Sequence, residues 1–383
     1  MAQSVEGFRV AGKELSPNRV SERSLIVMLF VVALAMRLAL VYYGSVHGVL
    51  QFNLYIENFG DFAGTYLSWL KALSAGLMPY SGFFYQYTPL FLYLLYPFYV
   101  IGGYTGAALP IVLADAGASV IIYAIVARVS GSRRAALAAG LAYAFSPLAL
   151  LYEGLLLFSV EPMLLFVLLA VYLLYEERPV YSVACLAIAV LLRQEAIFLL
   201  PIYLLSYRKY GIGTYVKMAT VFAGLLLLVS APFLLTAPAQ YLSDVMYLSC
   251  RCDIYSIWLP FLPQIDAAVP WLVPLLAAMV AFVLYGERRK KNFAVIFGAF
   301  LFAVFVAAFG YTHPHTLFRY YYLPAYALLV AASRKWQMSA TLFCAMALSI
   351  ILPPGPVQEL LPFASILALV AIDAVYPTTG RRK

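Results

Sequence analysis

Residues 214–236 read TYVKMATVFAGLLLLVSAPFLLT, with one charge, Lys217, near one end. At 1.5 Å per residue a helix of this length extends about 35 Å. That is enough to cross a hydrocarbon core of about 30 Å. Comparable apolar runs fill the chain at 24–43, 89–101, 106–127, 135–152, 156–175, 180–192, 195–206, 269–285, 293–311, 319–332, 337–352 and 358–376. Apolar residues make up 64% of the 383, and charged residues 11%. A soluble domain carries about 45–50% and about 25% respectively, and could not hide the excess apolar surface. The expectation is an all-α, polytopic transmembrane helical bundle of about 11–13 helices. Residues 1–383 read as one transmembrane domain.

The formal net charge of +8 follows from how membrane proteins are oriented, so nucleic-acid binding is a poor reading of it. Basic clusters at Arg128/Arg133/Arg134, Arg208/Lys209, Arg288–Lys291, Arg334/Lys335 and Arg381–Lys383 all fit the cytoplasmic side. So does the 1–23 tail. Loops 44–88, 237–268, 312–318 and 353–357 then face outward. Residues 89–127 must cross an odd number of times, yet hold two apolar runs, so the short 89–101 run dips in and returns or lies at the interface. The first run is too long for a signal-peptide core and reads as a retained helix. Cys185 and Cys344 fit packing positions. Cys250 and Cys252 are too close in sequence for an unstrained disulfide.

Ionisable groups at membrane depth are costly and mark functional sites by default. Three places on the outward side hold them. The 44–88 stretch is too polar to span and reads as one or two amphipathic interfacial helices. Its Glu57 and Asp61 are four apart, one face of a helix. It continues into Gly76-Leu77-Met78-Pro79-Tyr80 and Tyr85-Gln86-Tyr87-Thr88-Pro89-Leu90, in which Tyr80, Tyr85 and Tyr87 are candidate substrate contacts. The second place is Tyr311-Thr312-His313-Pro314-His315-Thr316-Leu317-Phe318-Arg319. The Arg319 guanidinium suits a phosphate, and His313 and His315 add hydrogen bonds. Two histidines are an incomplete metal set. The third is Arg193-Gln194-Glu195, between two short runs, which either lines a polar cavity or closes on itself as an ion pair. Glu153 and Glu161 flank the 153–160 turn and are candidates to join the same outer cavity, and Asp115 reads as a paired packing residue.

The order of these features resembles the membrane-embedded C-type (GT-C) glycosyltransferases. Gly76 to Pro97 (GLMPYSGFFYQYTPLFLYLLYP) is most similar to GPI mannosyltransferase I and to polyprenol-phosphate-mannose-dependent mannosyltransferases. Phe145-Ser146-Pro147, Leu192 to Pro201 and Arg319-Tyr320-Tyr321-Tyr322-Leu323-Pro324 fit more loosely. The resemblance implies a GT-C-like fold and a catalytic loop over 44–88 on the non-cytoplasmic face of a multi-pass cell-membrane protein. It implies a polyprenyl (dolichyl) phosphate sugar donor, mannose by preference, and a lipid or glycan acceptor. Asp61 matches the family's base. The spacing of Glu57 departs from the closer acidic pair of several members.

The chemistry is self-consistent. A phosphate leaves as a stabilised anion, so one carboxylate suffices to deprotonate the incoming hydroxyl, and direct displacement inverts the anomeric carbon. Arg319, His313 and Arg193 are candidate donors to the phosphate. The pattern requires no cofactor and leaves a divalent metal on the phosphate open. The alternative is a transporter or flippase of a lipid-linked or anionic solute. Such a protein calls for charged groups along a path reachable from both sides and, in many folds, for paired broken helices, which the sequence does not display.

Overall fold

The computed structural model describes residues 21–47, 61–200, 203, 206–207, 210–246, 291–312, 319–352 and 356–375. The chain order is α1 (Glu22–Val46), a π-helical turn (Asp61–Tyr66) running into α2 (Leu67–Ser74), α3 (Leu90–Ser130), α4 (Arg133–Ala144) and α5 (Pro147–Ala149). A second π-helical segment (Leu150–Leu155), α6 (Val160–Tyr175), α7 (Pro179–Leu192) and a 3-10 turn (Gln194–Leu199) follow. Then come α8 (Ile212–Thr236), α9 (Pro238–Val245), α10 (Lys291–Thr312), a 3-10 turn (Arg319–Tyr322), α11 (Leu323–Ala331), α12 (Trp336–Ile351) and α13 (Pro356–Val375). No strand forms among the described residues, whose one bridge joins Pro79 and Phe83. The all-α, polytopic membrane class holds.

Local chemistry sets the helix ends. The Ser21 and Ser132 hydroxyls accept from the Ser24 and Ala135 amides, capping α1 and α4. Gly131, at φ 62°, ends α3 in the left-handed conformation glycine tolerates. The 135–152 run does not continue as one α-helix. Pro147, which has no amide hydrogen, restarts the chain as α5, with Ser146 Oγ accepting from the Ala149 amide. The 195–206 run likewise opens as a 3-10 turn.

The runs 89–101 and 106–127 join in α3, broken at Gly103 (φ 58°, ψ −138°). The halves fold back so tightly that a Cβ on Gly106 would lie 2.1 Å from the Phe98 carbonyl oxygen. Residues 104–130 alone extend about 40 Å, sufficient for one crossing. The single crossing that the charge distribution asks of 89–127 therefore needs no help from the 90–102 arm.

Helices α1, α3 and α8, and the stretch Arg133–Leu155, have the length and hydropathy to cross a bilayer. Helix α3 packs on α4, α6 and α7, α6 packs on α7, and α11, buried along its whole length, lies against α10 and touches α3, α4 and α6. In contrast, α1 and α8 expose Val27, Met28, Val31, Leu227, Leu228 and Leu235, as lipid-facing helices do. Of the 44–88 stretch, 44–46 complete α1, and 61–88 form a helical hook, 61–74, followed by an aromatic-packed turn. The Cys250–Cys252 pair and most of 237–268 and 312–318 lie outside the described residues.

Candidate functional site

At the end of α7, Arg193 leaves helical geometry (φ −152°, ψ 128°) and turns its side chain inward, where it is 1% exposed. Its guanidinium forks onto Glu195, with Nη2 to Oε1 at 2.6 Å and Nε to Oε2 at 3.3 Å, and Nη1 donates to Ser159 Oγ at 2.6 Å. The sequence left a cavity-lining role and a local ion pair open for this trio, and the ion pair forms. The guanidinium also lies 4.7 Å from the Tyr87 ring centroid and 5.4 Å from that of Tyr321. Cation–π contacts of this kind strengthen when desolvated. The pair sits against a small recess, with room for about one water molecule, bounded by Val160, Met163, Phe302, Phe305, Tyr321 and Pro324. The recess is therefore apolar apart from one neutralised charge pair.

The Tyr85–Thr88 stretch is fastened to the segment that carries this pair. Thr88 Oγ1 donates to the Val190 carbonyl at 2.7 Å, serving an acceptor in the last turn of α7, and Gln194 Nε2 donates to the Gln86 carbonyl at 3.0 Å. Tyr85 Oη donates to the Thr88 carbonyl and accepts from the Leu92 amide, capping the start of α3. Tyr80 takes the left-handed conformation (φ 68°), a strained state for a non-glycine residue. Its hydroxyl donates to the Tyr87 carbonyl at 2.6 Å, and its ring meets Phe233 and Tyr241 edge-on. Burial pushes the Tyr80 and Tyr85 phenols well above their ordinary range, so both stay neutral donors. Asp244 on α9 completes the clamp: Oδ2 accepts from the Tyr85 amide and Oδ1 from Gln240 Nε2.

Two other candidates enter through their backbones. Asp61 opens the hook, whose Phe62, Tyr66 and Trp69 are buried. Tyr66 meets the Tyr87 ring at 6.1 Å, with the two hydroxyls 3.4 Å apart. Arg319 opens the 3-10 turn that carries Tyr320 and Tyr321 to Arg193. Of the sequence candidates, Tyr87, Arg193 and Glu195 come together directly. Tyr80 and Tyr85 support them, and Asp61 and Arg319 lie on the segments that converge on them. Glu57, His313 and His315 lie outside the described residues. Among the described residues no three His, Cys, Asp or Glu side chains assemble into a metal site. Sequence reasoning missed Ser159, Thr88 and Asp244. Only the buried setting distinguishes them from ordinary loop and cap residues.

A second buried polar group lies nearby. Arg37 Nε donates to Asp115 Oδ2 at 2.5 Å and Nη1 to the Ala144 carbonyl at 2.6 Å, while Tyr143 Oη donates to Glu161 Oε1 at 2.6 Å. Asp115 is thus a paired packing residue, as its place in an apolar run suggested.

Among curated proteins no match is found. A solved structure described as "Crystal Structure of ArnT from Cupriavidus metallidurans bound to Undecaprenyl phosphate" is similar at 14% identity and a TM-score of 0.49, over 92% of this chain and 71% of that one. The family model described as "GPI transamidase subunit PIG-U" matches residues 25–256. It names a transamidase subunit, where residues 76–97 resembled mannosyltransferases. That match spans α1 to α9 with the Tyr87–Arg193–Glu195 cluster inside it, and the chain belongs to the PIG-U family.

Proposed function

We propose that the protein is an inverting glycosyltransferase, transferring a sugar, mannose by preference, from a polyprenyl phosphate to a lipid or glycan acceptor on the non-cytoplasmic face. The observation that carries this reading is convergence. The hook that begins at Asp61 packs on Tyr87, and the turn that begins at Arg319 packs on Arg193, which itself lies over Tyr87. That the segments beginning at Asp61 and Arg319 meet one aromatic cluster supports a shared site for the candidate base and the candidate phosphate ligand.

In the proposed step the Asp61 carboxylate takes the proton from the acceptor hydroxyl as its oxygen attacks the anomeric carbon. The bond from that carbon to the phosphate oxygen breaks, the phosphate leaves with the electron pair, and the carbon inverts. Arg319, with His313 and His315 in the same segment, receives the anion. Arg193 has a supporting part, because its fork is already engaged by Glu195. A divalent metal on the phosphate is compatible with this chemistry.

A second reading rests on the family model. A GPI transamidase subunit need not carry out the chemistry itself, and the same unit would then hold a glycolipid for a partner enzyme. Membranes containing the chain, incubated with a panel of labelled polyprenyl-phosphate sugars, separate the two. The enzyme reading expects label in an acceptor with wild type and none with a folded Asp61→Asn variant. Full activity of that variant would reject Asp61 as the base. Donor binding without transfer would favour the subunit reading.

A further inference from the structure

A buried acidic cluster lies where α1, α3, α4, the Leu150–Leu155 segment and α6 meet. Its members are Arg37 (α1), Asp115 (α3), Tyr143 (α4), Glu153 (the π-helical segment) and Glu161 (α6), each 0% exposed. The formal charge is one guanidinium against three carboxylates, −2 in all. Arg37 pairs with Asp115, and Tyr143 donates to Glu161. Neither carboxylate oxygen of Glu153 has a side-chain partner, the Glu161 backbone being the one donor that bears on it, and Glu161 Oε2 and Arg37 Nη2 are without a partner.

The backbone shows that this burial is built in. Glu153 sits in the middle of a π-helical segment, a geometry that recurs at functional sites. The next residue, Gly154, lets α1 close in: a Cβ there would stand 2.9 Å from Leu40 Cδ1 and 3.5 Å from Arg37 Cγ. Leu157, in the link to α6, takes a left-handed conformation (φ 57°) that side chains disfavour. The charged groups acting on Glu153 are Glu161, Asp115 and Arg193, and Arg193 is forked onto Glu195. Among the described residues no basic side chain forms an ion pair with it. An isolated buried carboxylate is far too costly to persist as an anion.

We propose that Glu153 and Glu161 form a buried proton-binding site that holds one proton between them. A carboxylate oxygen takes the proton from hydronium, releasing water, and the cluster passes from −2 to −1. The acid O–H supplies the donor that the orphan oxygens otherwise lack. The ligand class is a proton rather than a metal, because no metal-holding group of three or more His, Cys, Asp or Glu is found among the described residues. This site is independent of the glycosyl-transfer reading.

The unfolded chain carries these carboxyls ionised at neutral pH. Folding therefore takes a proton up, and stability falls as pH rises, tenfold in the unfolding equilibrium per pH unit for each proton held. Infrared spectroscopy of the detergent-solubilised full chain at neutral pH should show a protonated-carboxyl C=O band. The band should be lost in Glu153→Gln or Glu161→Gln, and the pH slope of wild-type thermal unfolding should exceed that of either variant. If neither variant folds, the wild-type band and slope decide alone. Absence of the band in wild type, its survival in both variants, or stabilisation by added sodium or calcium in place of the band would overturn the proposal.

Discussion

Replacing Arg37 by methionine removes the guanidinium and leaves Asp115 fully buried without its cation. Breaking a buried ion pair from one side costs about 3–5 kcal/mol. The Ala144 carbonyl also loses its 2.6 Å donor, adding about 1 kcal/mol. The total, about 4–6 kcal/mol, corresponds to roughly three to four decades in the unfolding equilibrium. Asp115→Leu strands the guanidinium instead and should cost about as much. The double variant removes both charges and leaves mainly the Ala144 carbonyl to re-satisfy, so it should lie within about 1–3 kcal/mol of wild type. The coupling energy from the cycle is then at least ~5 kcal/mol. The assay is denaturant or thermal unfolding of the detergent-solubilised chain, followed by tryptophan fluorescence. Additive single effects, or an Arg37→Met cost below about 1 kcal/mol, would refute a packed Arg37–Asp115 pair.

Other outcomes follow from the same contacts. Gly154→Ala brings a Cβ against the movable Cδ1 end of Leu40, which can shift aside, and should destabilise by no more than about 1 kcal/mol, measured in the same unfolding assay. Thr88→Val keeps the shape but removes the donor to the Val190 carbonyl, and should cost about 1–3 kcal/mol. Arg319→Ala should raise the donor concentration needed for half-maximal sugar transfer, and unchanged saturation would reject a phosphate contact.

The membrane class was legible because a bilayer imposes long apolar runs, and residues such as 214–236 have no other reading. The Asp115 pairing was legible too, since a lone carboxylate in an apolar run requires a partner, although nothing in the sequence named Arg37. The Gly103 reversal was only half visible. A short run before a glycine pair signals a break, but the close approach of Gly106 to Phe98 is a tertiary fact. The π-helical segment at 150–155 was invisible, because its composition matches that of an α-helix. Tyr80, Tyr85 and Tyr87 stood out as a string, yet the Tyr80 and Tyr85 hydroxyls serve backbone groups and that of Tyr87 meets Tyr66, which spacing alone does not reveal. Asp244 was passed over because an acidic residue in a loop between apolar runs usually meets solvent.

The most direct test of the central claim uses the purified full-length chain in liposomes with a labelled polyprenyl-phosphate mannose and a lipid extract. Movement of label from donor to an acceptor, with the anomeric carbon inverted in the product, is the predicted result. Donor that binds the protein and keeps its sugar under every acceptor tried would contradict it.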